Sequence, residues 1–173
     1  MSPTVIFDTH LILGYVAWLL CFAAYIWPRL RSMDRVVAQR VIATLHSFRF
    51  FGLVFILPGV VGDLPAGFGP FAAYGDFATG LLALLALLTV RVRPLFWPLV
   101  AAFNVVGIVD IIVDYYHGVA LQLAPAAGQL GATYAIPIIY VPILMITHVA
   151  ALYLLVRPQP ASAHEPIPQT PSM

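Results

Sequence analysis

The sequence predicts an all-α membrane protein, a polytopic bundle of five transmembrane helices. Hydrophobic residues make up 62% of the 173-residue chain, charged residues make up 9%, and the mean hydropathy is +0.97. A soluble domain carries about 25% charged residues, so most of this surface must face lipid. Five apolar stretches are each long enough to cross a bilayer, which takes about 20 helical residues. The lipid bilayer is therefore the one partner that composition alone predicts.

The predicted spans are separated by short polar or Gly- and Pro-rich segments. The first is expected to remain in the protein, because no positive charge precedes it and no small-x-small cleavage site follows it. Pro28 is expected to end it, since proline cannot continue a helix without losing a hydrogen bond. The five spans cover residues 7–27, 41–61, 72–90, 95–116 and 134–156 of a single transmembrane domain, 1–157. The proline-rich tail, 158–173, is expected to be disordered in the cytoplasm.

The basic residues predict the orientation of the bundle. All eight are arginines, and only Arg49 lies inside a span. Loops rich in arginine stay in the cytoplasm, which places the N-terminus outside and the C-terminus inside. The use of arginine in place of lysine is typical of a GC-rich bacterial genome. A multi-pass protein of the bacterial inner membrane is therefore expected. The loop arginines are Arg29, Arg31, Arg35 and Arg40 after span one, Arg91 and Arg93 after span three, and Arg157 after span five.

Several function classes are excluded by what the sequence lacks. A net charge of +1 gives no basic face for nucleic acid. Without lysine, no Schiff base can form with retinal or pyridoxal phosphate. The single cysteine, Cys21, allows no intrachain disulfide. No zinc-protease or serine-hydrolase motif is present. An enzyme is therefore not the favoured class, and Asp110 as an acid or base is the remaining enzymatic alternative.

Polar side chains inside the spans define the candidate site. Such groups are costly in a bilayer, so they usually face the bundle interior and find partners. They fall into an inner layer and an outer layer, and on span four they share one helical face. The outer layer also contains Asp8, His10, Asp114 and His117. The predicted ligand or proton site consists of His46, Arg49, Asp76, Asn104, Asp110 and His148.

Each of these residues allows a functional and a structural interpretation. His46 and His148 come out at similar depth, so they could be the axial ligands of a b-type haem, or each could bond to a backbone carbonyl or to Asn104. His10 and His117 could form a second, outer pair of the same kind. Arg49 could bind an anion, form a structural bridge or extend to the surface. The other residues of interest are Asp76, which could compensate a helix dipole, and Asp110, which could carry a proton.

Four short segments contain most of these polar residues: Leu45-His46-x-x-Arg49-Phe50-x-Gly52, Gly75-Asp76-x-x-x-Gly80, Asn104-x-x-Gly107-x-x-Asp110 and His148-x-x-x-Leu152. Together they resemble a family of small polytopic membrane proteins of bacteria to which no activity is assigned. The resemblance covers spans two to five. It implies a helical fold with a shared polar centre, and it implies no particular reaction.

Three functions are compatible with the sequence. The first is binding or transport of a small ligand or of protons at the polar site. The second is a redox protein that uses His46 and His148 for haem b or works with a quinone. The third is a non-catalytic accessory subunit of a membrane complex, or a homo-oligomer, in which the polar groups only hold the bundle together.

Overall fold

The structure, a computed structural model, describes residues 1–157, and within that range it contains helices and no strand. The all-helical class is thus confirmed, while the predicted disordered tail, 158–173, lies outside the described residues. Four helices are long and apolar enough to cross a membrane. We number the helices α1 (Pro3–Ser32), α2 (Arg35–Ser47), α3 (Phe68–Leu88), α4 (Arg93–Ala120) and α5 (Ile136–Val156).

Helix α1 extends beyond the predicted span at both ends. Ser2 caps its start, where the Ser2 hydroxyl accepts a hydrogen bond from the Val5 N–H at 3.3 Å. A π-helical turn at Phe22–Ile26 precedes Pro28, and the helix continues to Ser32 instead of ending at the proline. Pro28 is tolerated because it falls in the first turn after the π-helical segment, where its missing donor breaks no regular α-helical hydrogen bond.

The second predicted span, residues 41–61, is not confirmed as a continuous membrane helix. Helix α2 begins at the Asp34 cap and ends at Ser47, and the chain continues as a 3-10 helix over Phe48–Ile56. Neither piece alone has the length of the four candidate spans. The 3-10 segment packs closely on α3, because a Cβ added at Gly80 would lie 2.9 Å from the Phe50 backbone nitrogen.

Two apolar clusters fill the bundle, one toward each end. The first includes Leu30, Ile42, Phe96, Phe103 and Leu154. The second includes Phe7, Phe55, Phe68, Leu130 and Ile136. Buried polar residues, among them Arg49, Asp76 and Asp110, occupy the layer between the two clusters.

The two ends of the bundle differ in charge. At one of them the ends of α1 and α5 meet the start of α2, where Arg35 donates to the Arg157 carbonyl and Arg157 Nη1 donates to the Arg31 carbonyl at 3.2 Å. We call this the arginine end. The opposite end, which carries the start of α1 and the segment 121–135, we call the N-terminal end.

A π-helical turn at the start of α5, Ile136–Tyr140, is where α1 docks. Pro142 has no N–H, so it cannot donate to the Ile138 carbonyl as a regular helix would require. The neighbouring Ile139 carbonyl accepts a hydrogen bond from Trp18 Nε1 at 2.7 Å. Gly14 allows this approach, because a Cβ there would collide with the Ile138 carbonyl oxygen. The freed carbonyls are thereby covered by α1 instead of lipid.

Candidate functional site

Arg49 lies at the centre of the polar layer and is only 1% exposed. Its Nε donates to Asp76 Oδ1 at 2.6 Å, and its Nη2 donates to Asp110 Oδ2. The 3-10 segment, α3 and α4 thus each supply one member of this ion-paired group. The structural-bridge interpretation of Arg49 fits this geometry, and its side chain does not extend to the surface.

Asp76 does not lie at a helix end, as the sequence interpretation assumed. Helix α3 begins at Phe68, and Asp76 is therefore more than two turns inside it. The helix-dipole interpretation requires a position in the first turn. The partner that Asp76 uses is the guanidinium of Arg49.

His148 joins the same network from α5. Its Nδ1 lies 2.9 Å from Asn104 Oδ1, and the amide of Asn104 in turn donates to the Val100 carbonyl at 2.8 Å. An amide oxygen only accepts, so His148 carries its proton on Nδ1. Its Nε2 is then free to accept from Arg49 Nη1, which lies 3.3 Å away. The network therefore assigns His148 as a neutral imidazole held between Asn104 and Arg49.

His46 stacks against His148, with ring centroids 3.8 Å apart and an interplanar angle of 31°. Its Nε2 lies 3.0 Å from the Thr147 hydroxyl, which donates its own proton to the Ile143 carbonyl at 2.7 Å. His46 Nε2 must therefore be the donor to Thr147. This leaves Nδ1 as a bare acceptor, and it is fully buried without a hydrogen-bond partner. The sequence prediction that these two histidines lie at similar depth agrees with this contact.

The stacked rings do not fit the axial ligands of a haem. Axial imidazoles stand on opposite faces of the porphyrin, whereas these two rings contact each other with no space for a macrocycle between them. Both nitrogens of His148 are also engaged by Asn104 and Arg49. The outer histidines each contact another residue: His10 Nδ1 lies 3.0 Å from the Tyr134 hydroxyl, and the His117 ring packs edge-on against Phe71.

From this geometry we expect the protein, purified from cells supplied with ample haem, to show no reduced α and β bands after dithionite. The visible absorbance spectrum checks this directly. A pair of sharp reduced bands that His148→Ala removes and His10→Ala retains would contradict the stacked arrangement. His10 is a suitable control because its ring is exposed and bonds only to Tyr134.

Three glycines make room for the site side chains. A Cβ added at Gly52 would collide with Asp76, one at Gly75 with Asp110, and one at Gly107 with His148. Each glycine thus faces a different polar group from a neighbouring helix. The close approach that glycine allows between membrane helices is used here to seat buried charges.

Residues 6–156 of the chain match the family described as a domain of unknown function (DUF8737). The chain belongs to this family. No curated protein and no solved structure matches it. The match covers all six predicted site residues and agrees with the expectation of a family without an assigned activity.

Three residues of this DUF8737 protein that have buried polar atoms were left out of the predicted site. In the sequence Thr147 looks like any hydroxyl residue of a helix. Its position next to His148 was the one signal that could have indicated a contact with the site. Gln39 was assigned to an interface segment, yet it is fully buried and donates to the Ala151 carbonyl at 2.8 Å. Asp114 was noted in the outer layer and left out of the site, and its Oδ1 is buried without a partner.

Proposed function

We propose that this protein is a multi-pass membrane protein whose buried polar site binds protons and transfers them across the membrane. The observation that supports this proposal is an imbalance of charge. One guanidinium, that of Arg49, contacts two carboxylates, Asp76 and Asp110. Asp114 follows Asp110 by four residues on the same face of α4 and adds a third acid.

The imbalance has a simple chemical consequence. A guanidinium neutralises one carboxylate, and an ionised carboxylate without a partner is costly in a low-dielectric interior. The described part of the chain offers no second cationic side chain in hydrogen-bond contact with this group. A proton or another cation must therefore supply the missing positive charge. Uptake and release of that charge is the activity that we propose.

Arg49 and His46 take different parts in this scheme. Arg49 keeps its proton under all ordinary conditions, so it acts as a fixed charge that shifts its pairing between Asp76 and Asp110. His46 Nδ1, buried and without a hydrogen-bond partner, is an imidazole acceptor on the arginine-end side of the site. The carboxylates lie toward the N-terminal end. The imidazole acceptor and the proton-carrying carboxylates therefore lie on opposite sides of a fixed positive charge.

The proposal includes the topology predicted from the sequence, with five spans in the bacterial inner membrane, the N-terminus outside and the C-terminus inside. Helix α2 and the 3-10 segment together measure about 37 Å, which is enough to cross a hydrocarbon core of about 30 Å. The convergence of Arg31, Arg35 and Arg157 at one end of the bundle supports its placement in the cytoplasm.

Proton flux into proteoliposomes tests this function. With a pH-sensitive dye inside and a potassium ionophore to balance charge, the wild-type protein should carry protons faster than protein-free vesicles. Asp110→Asn should return the rate to that of protein-free vesicles, because the amide cannot exchange a proton. Asp63→Asn, an exposed carboxylate in the segment before α3, should leave the rate unchanged.

The proposal fails if a correctly folded Asp110→Asn variant carries protons at the wild-type rate. It also fails if the wild-type rate equals that of protein-free vesicles. In either case the cluster would be left with a structural role, as expected of an accessory subunit. Elution of each variant as a single species on size exclusion separates loss of flux from loss of fold.

A further inference from the structure

A cavity of about 450 Å³ opens at the N-terminal end of the bundle. Residues of α1, the 3-10 segment, α3, α4, the segment 121–135 and α5 all line it, so every helix except α2 contributes to its wall. The wall is mostly apolar. Its large apolar residues include Phe7, Leu11, Phe55, Phe68, Leu130 and Ile136.

All the charged residues that line this cavity are acidic. Asp8, Asp76 and Asp114 are the three, and neither an arginine nor a histidine belongs to the lining. Asp76 is already paired with Arg49 through Oδ1. Asp114 is not paired in this way, since its Oδ1 is buried and lacks a hydrogen-bond partner. The cavity thus combines apolar walls with a carboxyl group that has no hydrogen-bond partner.

We propose that the cavity binds an organic monocation with an apolar body, such as a hydrophobic amine or a quaternary onium compound. The positive group would lie by Asp114 and Asp76, and the apolar body would contact the surrounding rings. Any effect of this ligand on proton transfer rests on the proposed function, whereas its binding depends on the cavity alone.

The chemistry of the wall distinguishes this ligand from other occupants. A metal cation such as Ca²⁺ takes six to eight oxygen ligands, and walls that are mostly apolar do not supply them. An anionic lipid headgroup would be repelled by the three carboxylates. A diffuse organic cation needs few hydrogen bonds, and the lining supplies the aromatic rings of Phe7, Phe55 and Phe68 for apolar burial and cation–π attraction.

Tetraphenylphosphonium and tetraphenylborate provide a test, since they share size and shape and differ in the sign of their charge. Equilibrium dialysis of each ion against the detergent-purified full chain, corrected with protein-free micelles, measures binding. We expect saturable binding of tetraphenylphosphonium and none of tetraphenylborate. Asp114→Asn should weaken the binding at least about tenfold, because a buried charge loses its partner. Asp63→Asn should not weaken it, since this exposed residue lies outside the lining.

A second pair of variants tests the volume of the cavity without changing its charge. Gly118 lines the cavity, and a Cβ there would meet only Leu123 Cδ2 at 3.9 Å, so Gly118→Leu should fill the space and abolish binding. Gly128 lies outside the lining with nothing within 4 Å of an added Cβ, and Gly128→Leu should bind normally.

The proposal is overturned if tetraphenylborate binds as well as tetraphenylphosphonium. It is also overturned if either Asp114→Asn or Gly118→Leu, eluting as a single species, keeps wild-type affinity. This assay contains no pH gradient, and the flux assay contains no onium ion. Binding without proton flux would therefore reject the proposed function alone, and flux without binding would reject the cavity ligand alone.

Discussion

Arg49→Met is expected to destabilise the protein by about 3–5 kcal/mol, the range typical of removing one partner from a buried ion pair. The substitution leaves the carboxylates of Asp76 and Asp110 without the counter-ion that they share. It also removes the donor to His148 Nε2. Unfolding of the purified protein in mixed micelles, with an increasing fraction of denaturing detergent, measures this change in the free energy of unfolding.

Two further variants separate the charge effect from a general sensitivity to substitution. Arg40→Met makes the same change at an exposed position of α2 and is expected to alter the free energy of unfolding by less than about 0.5 kcal/mol. The triple variant Arg49→Met, Asp76→Asn, Asp110→Asn removes the charges together and should recover much of the stability. An Arg49→Met protein as stable as the wild type would mean that the guanidinium does not hold the bundle together.

Gly107→Ala is expected to destabilise the protein by about 1–3 kcal/mol, the usual cost of overpacking a filled interior. An added Cβ would overlap the His148 ring and come within 2.8 Å of Arg49 Nη1. Neither group can move away cheaply, because His148 is held by Asn104 and Arg49 is held by two carboxylates. The same detergent titration measures the loss.

Gly128→Ala is the matched control for this prediction. Its added Cβ has nothing within 4 Å, so the free energy of unfolding should remain close to that of the wild type. A second measurement shows whether the destabilisation arises at His148. Displacement of its ring in Gly107→Ala should shift the imidazole NMR resonances of both His46 and His148. Unchanged stability together with unchanged imidazole resonances would show that the ring does not lie against Gly107.

The membrane helices could be predicted because their signal is distributed over many residues. Each span needs only sustained hydropathy over about 20 positions, so the start of α5 was placed within two residues, at 134 against Ile136. Helix ends were less predictable. Pro28 was predicted to end the first span, but a π-helical turn before it allows α1 to continue to Ser32.

The change from α-helix to 3-10 helix after Ser47 could not be predicted from composition. Residues 41–61 have the hydropathy of an ordinary span, and the tighter helix depends on how the segment packs against α3. This local geometry also decides where Arg49 points. The sequence indicated that Arg49 needs a partner, but it could not identify Asp76 and Asp110 as the two partners.

The membership of the polar site was predicted better than its arrangement. Helical periodicity placed Asn104, Gly107 and Asp110 on one face of α4, and they do face the site. The stacking of His46 on His148 depends on side-chain directions from two separate helices. Sequence reasoning weighed haem ligation against separate hydrogen bonds to a backbone carbonyl or to Asn104. The Asn104 partner of His148 was thus among the alternatives, whereas direct contact between the two rings was not foreseen.

Infrared difference spectroscopy of the purified protein across a pH titration tests the central claim most directly, because a protonated buried carboxyl has its own C=O stretching band. The account predicts such a band in the wild type, lost or shifted in Asp110→Asn and retained in Asp63→Asn. An identical carboxyl band in the wild type and in Asp110→Asn would contradict the claim that the Arg49 cluster exchanges a proton.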